Sequence, residues 1–296
     1  MRFKDLPKKW KRKVIVLSAV IILLLFAIGM FNVFLASYRK SCADMRAVLV
    51  KAEDELIGER IEIERDGSTS VKANVYIPDS MGAEPLPVVF NIHGGGFVGG
   101  DADLLDTQSD RIANEWNVIV VTINYTKADV KPILFGAKEI KDVVLYFADH
   151  AEEYNADTSK FALMGYSAGA YYAAEGTRLL QKEDIDITAL IMCYPWTTGL
   201  NADKLDTDFP PILFVLAGQD PISQRAKAYI DRAETIGVET KVIEYENAVH
   251  SFIESNNPES EADEAATELV VNEEQAGLAR QAEREIDEWL KKFIFH

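Results

Sequence analysis

Cysteine and histidine are scarce in this chain, and their scarcity excludes two ways of stabilising a fold. The sequence contains two cysteines, Cys42 and Cys193, and four histidines. Cys193 lies inside an apolar run, so we expect a buried thiol there and no disulfide framework. No group of histidines and cysteines has the spacing of metal ligands. We therefore expect neither a metal nor another cofactor.

Basic residues are also few outside the N-terminus. The chain has 31 Lys and Arg against 48 Asp and Glu, a formal net charge of −17. Seven of these bases lie in residues 1–36, which leaves 24 bases and 47 acids in the remainder. A body with a net charge of −23 repels nucleic acid, so we expect no nucleic-acid partner. Its roughly 260 residues suit one large α/β domain.

Charge is absent altogether from one stretch, Val14–Ala36, which follows the basic cluster Lys8–Lys13. At about 1.5 Å per residue a helix of this length spans the roughly 30 Å hydrocarbon core of a bilayer. The basic cluster predicts a cytoplasmic N-terminus and an exported body. The alternative is a cleaved signal peptide, whose apolar region has about 7–15 residues and a small-residue cleavage site. The longer run and the flanking residues 37–40 favour a retained signal anchor.

The sequence therefore predicts four segments, each with its own character. Residues 1–13 form a cytoplasmic basic tail, and residues 14–36 form the transmembrane anchor. Residues 37–57 form a stalk or N-terminal helix, and residues 58–296 form the folded domain. Within that domain, the acidic stretch 253–272 predicts a solvated loop or lid, because runs of like charge usually stay hydrated. Its acids are Glu254, Glu259, Glu261, Asp263, Glu264 and Glu268.

The folded domain shows a hairpin followed by an alternation of strands and helices. Residues 60–65 and 71–77 alternate apolar with polar side chains around Asp66-Gly67, which predicts an antiparallel hairpin. Continuous apolar runs separated by helical stretches then predict a mostly parallel, doubly wound sheet. The expected strands are 88–92, 118–123, 161–164, 187–193, 212–217 and 241–245. The expected helices are about 104–116, 134–150, 168–182, 222–236 and 273–294.

The most informative motif is Gly-x-Ser-x-Gly at Gly165–Gly169, directly after an apolar run. In a strand–turn–helix of this kind the serine backbone is strained, and small neighbours let the strand and helix pack closely. Ser167 Oγ is then held at a helix N-terminus, which favours negative charge. The motif alone is weak because it occurs by chance. Its weight depends on the residues that accompany it.

A second motif, His93–Phe97, has the sequence His-Gly-Gly-Gly-Phe and also follows a predicted strand. Acyl transfer places negative charge on a carbonyl oxygen, and backbone N–H groups aimed at that oxygen lower the barrier. We expect Gly95 and Gly96 to supply such donors together with Ala168, which follows the serine. The alternative, a phosphate-binding loop, lacks the Gly-x-x-x-x-Gly-Lys-Ser/Thr pattern.

Two further residues complete a candidate catalytic set. Asp220 follows the strand predicted at 212–217, and His250 follows the one at 241–245. Asp220 is placed to orient a histidine, although it is equally suited to cap the helix that begins at Pro221. His93 belongs to the glycine motif and is expected to shape it, which leaves His250 as the well-placed general base. Ser167, Asp220 and His250 follow the chain order of α/β-hydrolase triads.

These motifs give the chain its resemblance to a known group. It resembles the esterase and lipase group related to hormone-sensitive lipase, within the α/β-hydrolase superfamily, over roughly residues 60–295. The matching segments are His93–Phe97, Gly165–Gly169, Asp220–Ile222 and His250–Phe252. The resemblance implies an α/β-hydrolase fold and a Ser-His-Asp triad with a glycine-loop oxyanion hole. It implies a serine carboxylesterase acting on small ester substrates, with short-chain acyl or acetyl esters as the expectation.

The sequence also departs from that group. The group often has Tyr-Arg-Leu-Ala-Pro-Glu where this chain has Tyr125–Val130, and Tyr166 replaces the usual acid before the serine. Candidate substrate contacts are Phe97, Tyr166 and Trp196, although Trp196 is as well explained as a packed structural residue. Two alternatives stay open. One is a serine amidase or peptidase on the same fold, and the other is a catalytically silent binding protein.

Overall fold

The computed structural model describes residues 3–80, 82–183, 185–256 and 271–295. The chain divides into two compact units, residues 1–44 and residues 45–296. The first helix, α1, runs from Lys8 to Ala47 and is long and apolar enough to cross a membrane by length and composition. It includes the predicted span 14–36 and about half of the predicted stalk. The rest of the stalk, after Ala47, forms turns that lead to the first strand.

The second unit is built on one eight-stranded sheet with the order β1-β2-β4-β3-β5-β6-β7-β8. The β1–β2 and β2–β4 pairs are antiparallel, and every other neighbouring pair is parallel. The predicted leading hairpin and parallel sheet are therefore confirmed. The strands are β1 Glu59–Ile63, β2 Val71–Tyr76, β3 Leu86–Ile92, β4 Ile119–Asn124, β5 Ala156–Tyr166, β6 Ile187–Cys193, β7 Ile212–Ala217 and β8 Thr240–Tyr245.

Helices cover both faces of this sheet, so the domain has two apolar layers. Alternate strand residues point to opposite faces, and in β3 Val88 and Phe90 enter one core while Val89 enters the other. Helices α3, α5 and α7 pack on the first face, and α2 and α9 pack on the second. The helices are α2 Asp106–Trp116, α3 Ile133–Asp149, α4 Ala151–Tyr154, α5 Ala168–Leu180, α6 Pro221–Gln224, α7 Lys227–Ile236, α8 Phe252–Ser255 and α9 Glu273–Ile294.

Three sequence predictions differ from the structure in detail. The helix predicted at 222–236 is two helices, α6 and α7, separated at Arg225-Ala226. The helix predicted from 104 begins as a 3-10 turn at Ala102–Leu105 and becomes α-helical at Asp106. Strand β5 begins at Ala156, five residues earlier than predicted, because Ala156 pairs with Leu86 across a register shift. Polar residues in that extension hid it from a search for apolar runs. Cys193 is buried, as expected, and both cysteines are free thiols.

Candidate active site

Ser167 occupies a tight turn between the carboxyl end of β5 and the first residue of α5. Its φ of 51° and ψ of −113° form a backbone conformation that costs most L-residues energy. The turn is possible because of its glycines. A Cβ on Gly165 would lie 2.4 Å from Gly169 O, and a Cβ on Gly169 would lie 2.1 Å from Ile92 O. Only glycine fits at either position, which agrees with the expectation that small residues let the strand and the helix pack closely.

The structure brings the three candidate catalytic side chains into one hydrogen-bonded line. His250 Nε2 lies 2.9 Å from Ser167 Oγ, and His250 Nδ1 lies 2.7 Å from Asp220 Oδ2. The three residues follow β5, β7 and β8, whose carboxyl ends meet at one edge of the parallel sheet. Ser167 and Asp220 are buried, with 4% and 2% of their surface exposed. The arrangement allows a proton to pass between Ser167 and His250.

Asp220 makes the contacts that both of the roles left open by the sequence require. It caps α6, because Oδ1 accepts from Ile222 N–H at 2.8 Å and Oδ2 accepts from Ser223 N–H at 3.1 Å. Oδ2 also accepts from Ser223 Oγ at 2.9 Å and contacts His250. Burial alone raises the pKa of Asp220, but the hydrogen bonds from His250 and from Ile222 N–H outweigh it and hold the pKa below its ordinary value. Asp220 is therefore ionised at neutral pH and can stabilise a cationic imidazole.

The glycine loop, defined here as His93–Gly100, lies against the serine turn. A Cβ on Gly94 would lie 3.5 Å from Ser167 Cβ. Gly95, Gly96 and Phe97 have φ values of 123°, 57° and 69°, which curl the loop back on itself. Within the described part of the chain, the backbone N–H groups of Gly95, Gly96 and Ala168 donate to no protein acceptor. Ala168 directly follows the nucleophile candidate, and Gly95 and Gly96 follow Gly94 in the loop.

Phe97 and Trp196 lie together on the side of α5, while Tyr166 does not join them. The ring of Phe97 makes edge contacts with Trp196 at 5.8 Å and with Tyr171 at 5.4 Å. Trp196 is half-buried and its Nε1 donates to Thr198 O. Tyr166 has no exposed surface and packs in the core of the opposite face. The sequence-based suggestion of Tyr166 as a substrate contact is therefore wrong, because the strand buries its side chain behind the turn.

A cavity of about 370 Å³ opens beside the glycine loop, within residues 45–296. Apolar side chains from the start of this unit and from the 3-10 turn form much of the cavity wall, and Glu254 is the acidic residue that lines it. Its lining includes Met45, Val48, Leu49, Gly94, Leu104, Leu105, Ser251 and Glu254. A pocket of this size and character suits a small organic group. The sequence contained no motif for it, because its walls come from four separate segments.

Glu254 corrects one expectation about the acidic stretch 253–272. Residues 257–270 lie outside the described residues, but Glu254 belongs to α8 and lines the cavity. The Tyr194 hydroxyl donates to Glu254 Oε2, and burial raises the pKa of Glu254 to about 8. Burial therefore favours the protonated form of Glu254, which is not part of a solvated charge run. The signal available in the sequence was its place beside Phe252 and Ile253, two apolar residues of a single helical turn.

The fold and this site together define the α/β-hydrolase class. A family model described as alpha/beta hydrolase fold matches residues 89–208 and 199–254, and a carboxylesterase family model matches residues 41–128. The first model spans more than half of the chain, and the chain belongs to this α/β-hydrolase family.

Individual relatives agree with that assignment. An esterase of Gibberella moniliformis is 24% identical over 232 residues, which cover 63% of this chain and 72% of that protein. An ethyl acetate hydrolase of Pseudomonas putida is 23% identical over 249 residues, covering 70% and 78%. The solved esterase of Pyrobaculum calidifontis shares the fold with a TM-score of 0.67 at 22% identity, covering 87% of this chain and 92% of that one. The matches indicate a carboxylic ester hydrolase.

Proposed function

We propose that this protein hydrolyses short-chain carboxylic esters with Ser167 as nucleophile, His250 as general base and Asp220 as the orienting acid. The observation that carries the proposal is the hydrogen-bonded line from Ser167 Oγ through His250 to Asp220. His250 Nε2 accepts the Ser167 proton as Oγ attacks the ester carbonyl, and the imidazolium then protonates the departing alcohol. A water molecule, activated by His250 in the same way, releases the acid and restores Ser167.

The free backbone donors form the proposed oxyanion hole. As Oγ adds to the carbonyl, the oxygen becomes an anion and needs donors already in place. The N–H groups of Gly95, Gly96 and Ala168 meet this need because no acceptor in the described chain occupies them. Ala168 also begins α5, whose N-terminus favours negative charge.

The preference for short acyl groups is proposed from the size of the cavity and from one relative. The cavity of about 370 Å³ is near the lower end of the range for small-molecule sites. The ethyl acetate hydrolase among the relatives is named for an ester of a two-carbon acid. The same triad chemistry can cleave an amide, which is why amides belong in the test.

The proposed location is a membrane, with the N-terminus in the cytoplasm and the catalytic domain exported. The support is α1, whose apolar stretch follows the basic cluster Lys8–Lys13. Membranes washed with alkaline carbonate should retain the full chain, and mass spectrometry should find peptides from residues 1–13. Protease added outside intact cells should digest the C-terminal unit. Recovery of a soluble chain that lacks residues 1–36 would mean that the segment is a cleaved signal.

The enzymatic proposal is tested by a substrate panel and by covalent labelling. We expect p-nitrophenyl esters of two- to four-carbon acids to have higher kcat/KM than longer esters, and the matched anilides to react far more slowly. A fluorophosphonate should label Ser167 and no other serine, as read from the modified peptide. A Ser159→Ala variant, altered at an exposed serine of β5, should be labelled like the wild type. Labelling elsewhere, or faster cleavage of the anilides, would contradict the proposal.

A further inference from the structure

A buried lysine lies directly behind the glycine loop. Lys127 is 4% exposed, and its Nζ lies 3.0 Å from His93 Nε2, 2.8 Å from Asn124 Oδ1 and 2.7 Å from Tyr125 O. An ammonium group has three N–H donors and no acceptor, so these three partners use all of its donors. Nζ also lies 4.2 Å from the centre of the Tyr125 ring, which favours a cation. Asn124 in turn donates to Asp101 Oδ2 at 2.7 Å, which places an acid near the ammonium.

The contact between Lys127 and His93 determines which nitrogen of His93 carries the proton. Burial and, next, the Lys127 cation lower the pKa of His93 well below its ordinary value, so the ring is neutral and has one N–H. In its charged form Lys127 can only donate, so Nε2 then accepts and the proton is on Nδ1. Nδ1 lies 2.5 Å from Gly94 O. His93 therefore donates to the carbonyl of Gly94.

The Gly94 carbonyl in turn determines the direction of a proposed oxyanion donor. Gly94 C=O and Gly95 N–H belong to one planar trans peptide, and in such a peptide the two groups point in opposite directions. With Gly94 O on the His93 ring, Gly95 N–H points away from the ring. Rotation of this peptide is hindered little by its own residues, because both are glycine. The orientation must be supplied by contacts, of which the one from His93 is shorter than the 3.4 Å from the Tyr125 hydroxyl.

We propose that Lys127 is a positioning residue for the hydrolysis: it fixes the Nδ1–H tautomer of His93, which holds the Gly94 carbonyl and keeps Gly95 N–H available to the oxyanion. The inference rests on the proposed function, because it assigns a task within the proposed oxyanion hole. Lys127 touches no substrate and acts through His93. Its removal should therefore change the rate of the chemical step and leave the binding of substrate largely unaltered.

The kinetic test removes the donor and then removes the need for it. Lys127→Met leaves His93 Nε2 without a donor, so both tautomers become accessible and Gly94 O loses its partner in part of the population. We expect kcat to fall about 10- to 100-fold, less than the full loss of an oxyanion donor, with KM changed little. His93→Asn places an amide N–H near the position of Nδ1–H, and this side chain has no second tautomer. In the His93→Asn variant, Lys127→Met should lower kcat by no more than about threefold.

A direct measurement of the tautomer complements the kinetics and needs no active enzyme. The full chain, labelled with ¹⁵N-histidine in detergent micelles, contains four histidines, and the signal missing from His93→Asn identifies His93. The spectrum is recorded at pH 6, because burial lowers the pKa of Lys127 to about 7 and the group is mostly charged below it. We expect a protonated Nδ1 and a bare Nε2 in the wild type, and a mixture in Lys127→Met. Lys204→Met, at an exposed site, is the matched control.

The outcomes separate this inference from the proposed function. A wild-type His93 with its proton on Nε2 would overturn the inference. So would an equal loss of kcat on Lys127→Met in the wild-type protein and in the His93→Asn variant. If Lys127→Met does not fold, Lys127→Gln, which retains N–H donors, should keep both the tautomer and most of kcat. An active Ser167→Ala protein would instead refute the triad. The tautomer measurement does not depend on activity and would still report which nitrogen of His93 carries the proton.

Discussion

The serine turn and the glycine loop obtain their geometry in different ways. At the turn, the residues that fix Ser167 are its own neighbours, because a side chain at Gly165 or Gly169 would collide with backbone atoms. At the loop, the contact that orients Gly94 passes through His93 to Lys127, 34 positions away in the chain. The first geometry is determined by close packing alone. The loop is also closely packed, at Gly95 and Gly100, but the orientation of Gly94 depends in addition on hydrogen bonds made by buried polar groups. The turn should therefore fail by unfolding and the loop by losing activity.

The largest expected effect comes from Ser167→Ala, which removes the nucleophile and leaves the turn intact. Alanine keeps a Cβ and the same backbone demands as serine. We expect kcat to fall by on the order of 10⁶-fold, the scale known for loss of the serine in another Ser-His-Asp enzyme. The melting temperature should stay close to that of the wild type. Turnover within tenfold of the wild type would rule out Ser167 as the nucleophile.

Asp220→Asn should produce the next largest loss, because an amide cannot hold His250 in the tautomer that leaves Nε2 free to accept. For the corresponding change in chymotrypsin the loss is about 10⁴-fold, and we expect a similar fall in kcat here. The control is Ser223→Ala, which removes the hydroxyl donor to Asp220 Oδ2 and keeps the carboxylate. If Asp220→Asn lost about 1 kcal/mol of stability and kept its turnover, capping of α6 would be its main role.

A glycine series measures the steric contrast between the two regions as stability. Gly165→Ala places a Cβ against backbone, and we expect a cost of about 3 kcal/mol or more in the free energy of unfolding. Gly96→Ala finds open space, but its φ of 57° costs an alanine about 1–2 kcal/mol. Gly277→Ala in α9 also finds open space and should stabilise by up to about 1 kcal/mol. Chemical denaturation of the three variants gives the order directly, and equal costs at Gly165 and Gly96 would remove the contrast.

The same contrast explains what could be predicted from the sequence. The leading hairpin and the mostly parallel sheet follow from alternating apolar runs, and the meeting of Ser167, Asp220 and His250 follows from their places after parallel strands. Lys127 and Glu254 could not be assigned in this way, because their charge states depend on which distant residues bury them. The division between α6 and α7 was also missed, since residues 222–236 contain neither proline nor glycine to mark a break. Local patterns thus predict the backbone and the reacting groups better than the buried residues that hold them.

Glu254 sharpens the comparison because it lies beside the glycine loop and is linked through Tyr194 to the neighbourhood of His250. A Cβ on Gly94 of the loop would lie 3.3 Å from Glu254 Oε1, while Tyr194, which donates to Oε2, has its ring 5.3 Å from the His250 ring. The pKa of Glu254 is about 8 in the folded protein and 4.5 without the fold. Between those pH values the folded protein binds one more proton than the unfolded chain at this site, so this carboxyl lowers stability as pH rises from about 4.5 to 8.

Glu254→Gln should remove that contribution and gives the smallest of these effects. Glutamine is nearly isosteric and does not titrate, so the variant should become more stable relative to the wild type as pH increases. The stability difference between variant and wild type should grow by about 2 kcal/mol from pH 5 to pH 8.5, less than the full pKa shift implies because the side chain keeps part of its surface exposed. Glu246→Gln, on an exposed loop, controls for the change in net charge. Thermal unfolding across this pH range decides the matter. If the stability of Glu254→Gln and of the wild type changed with pH in parallel, the pKa of Glu254 would not be raised in the folded protein, and its burial would not favour the neutral form.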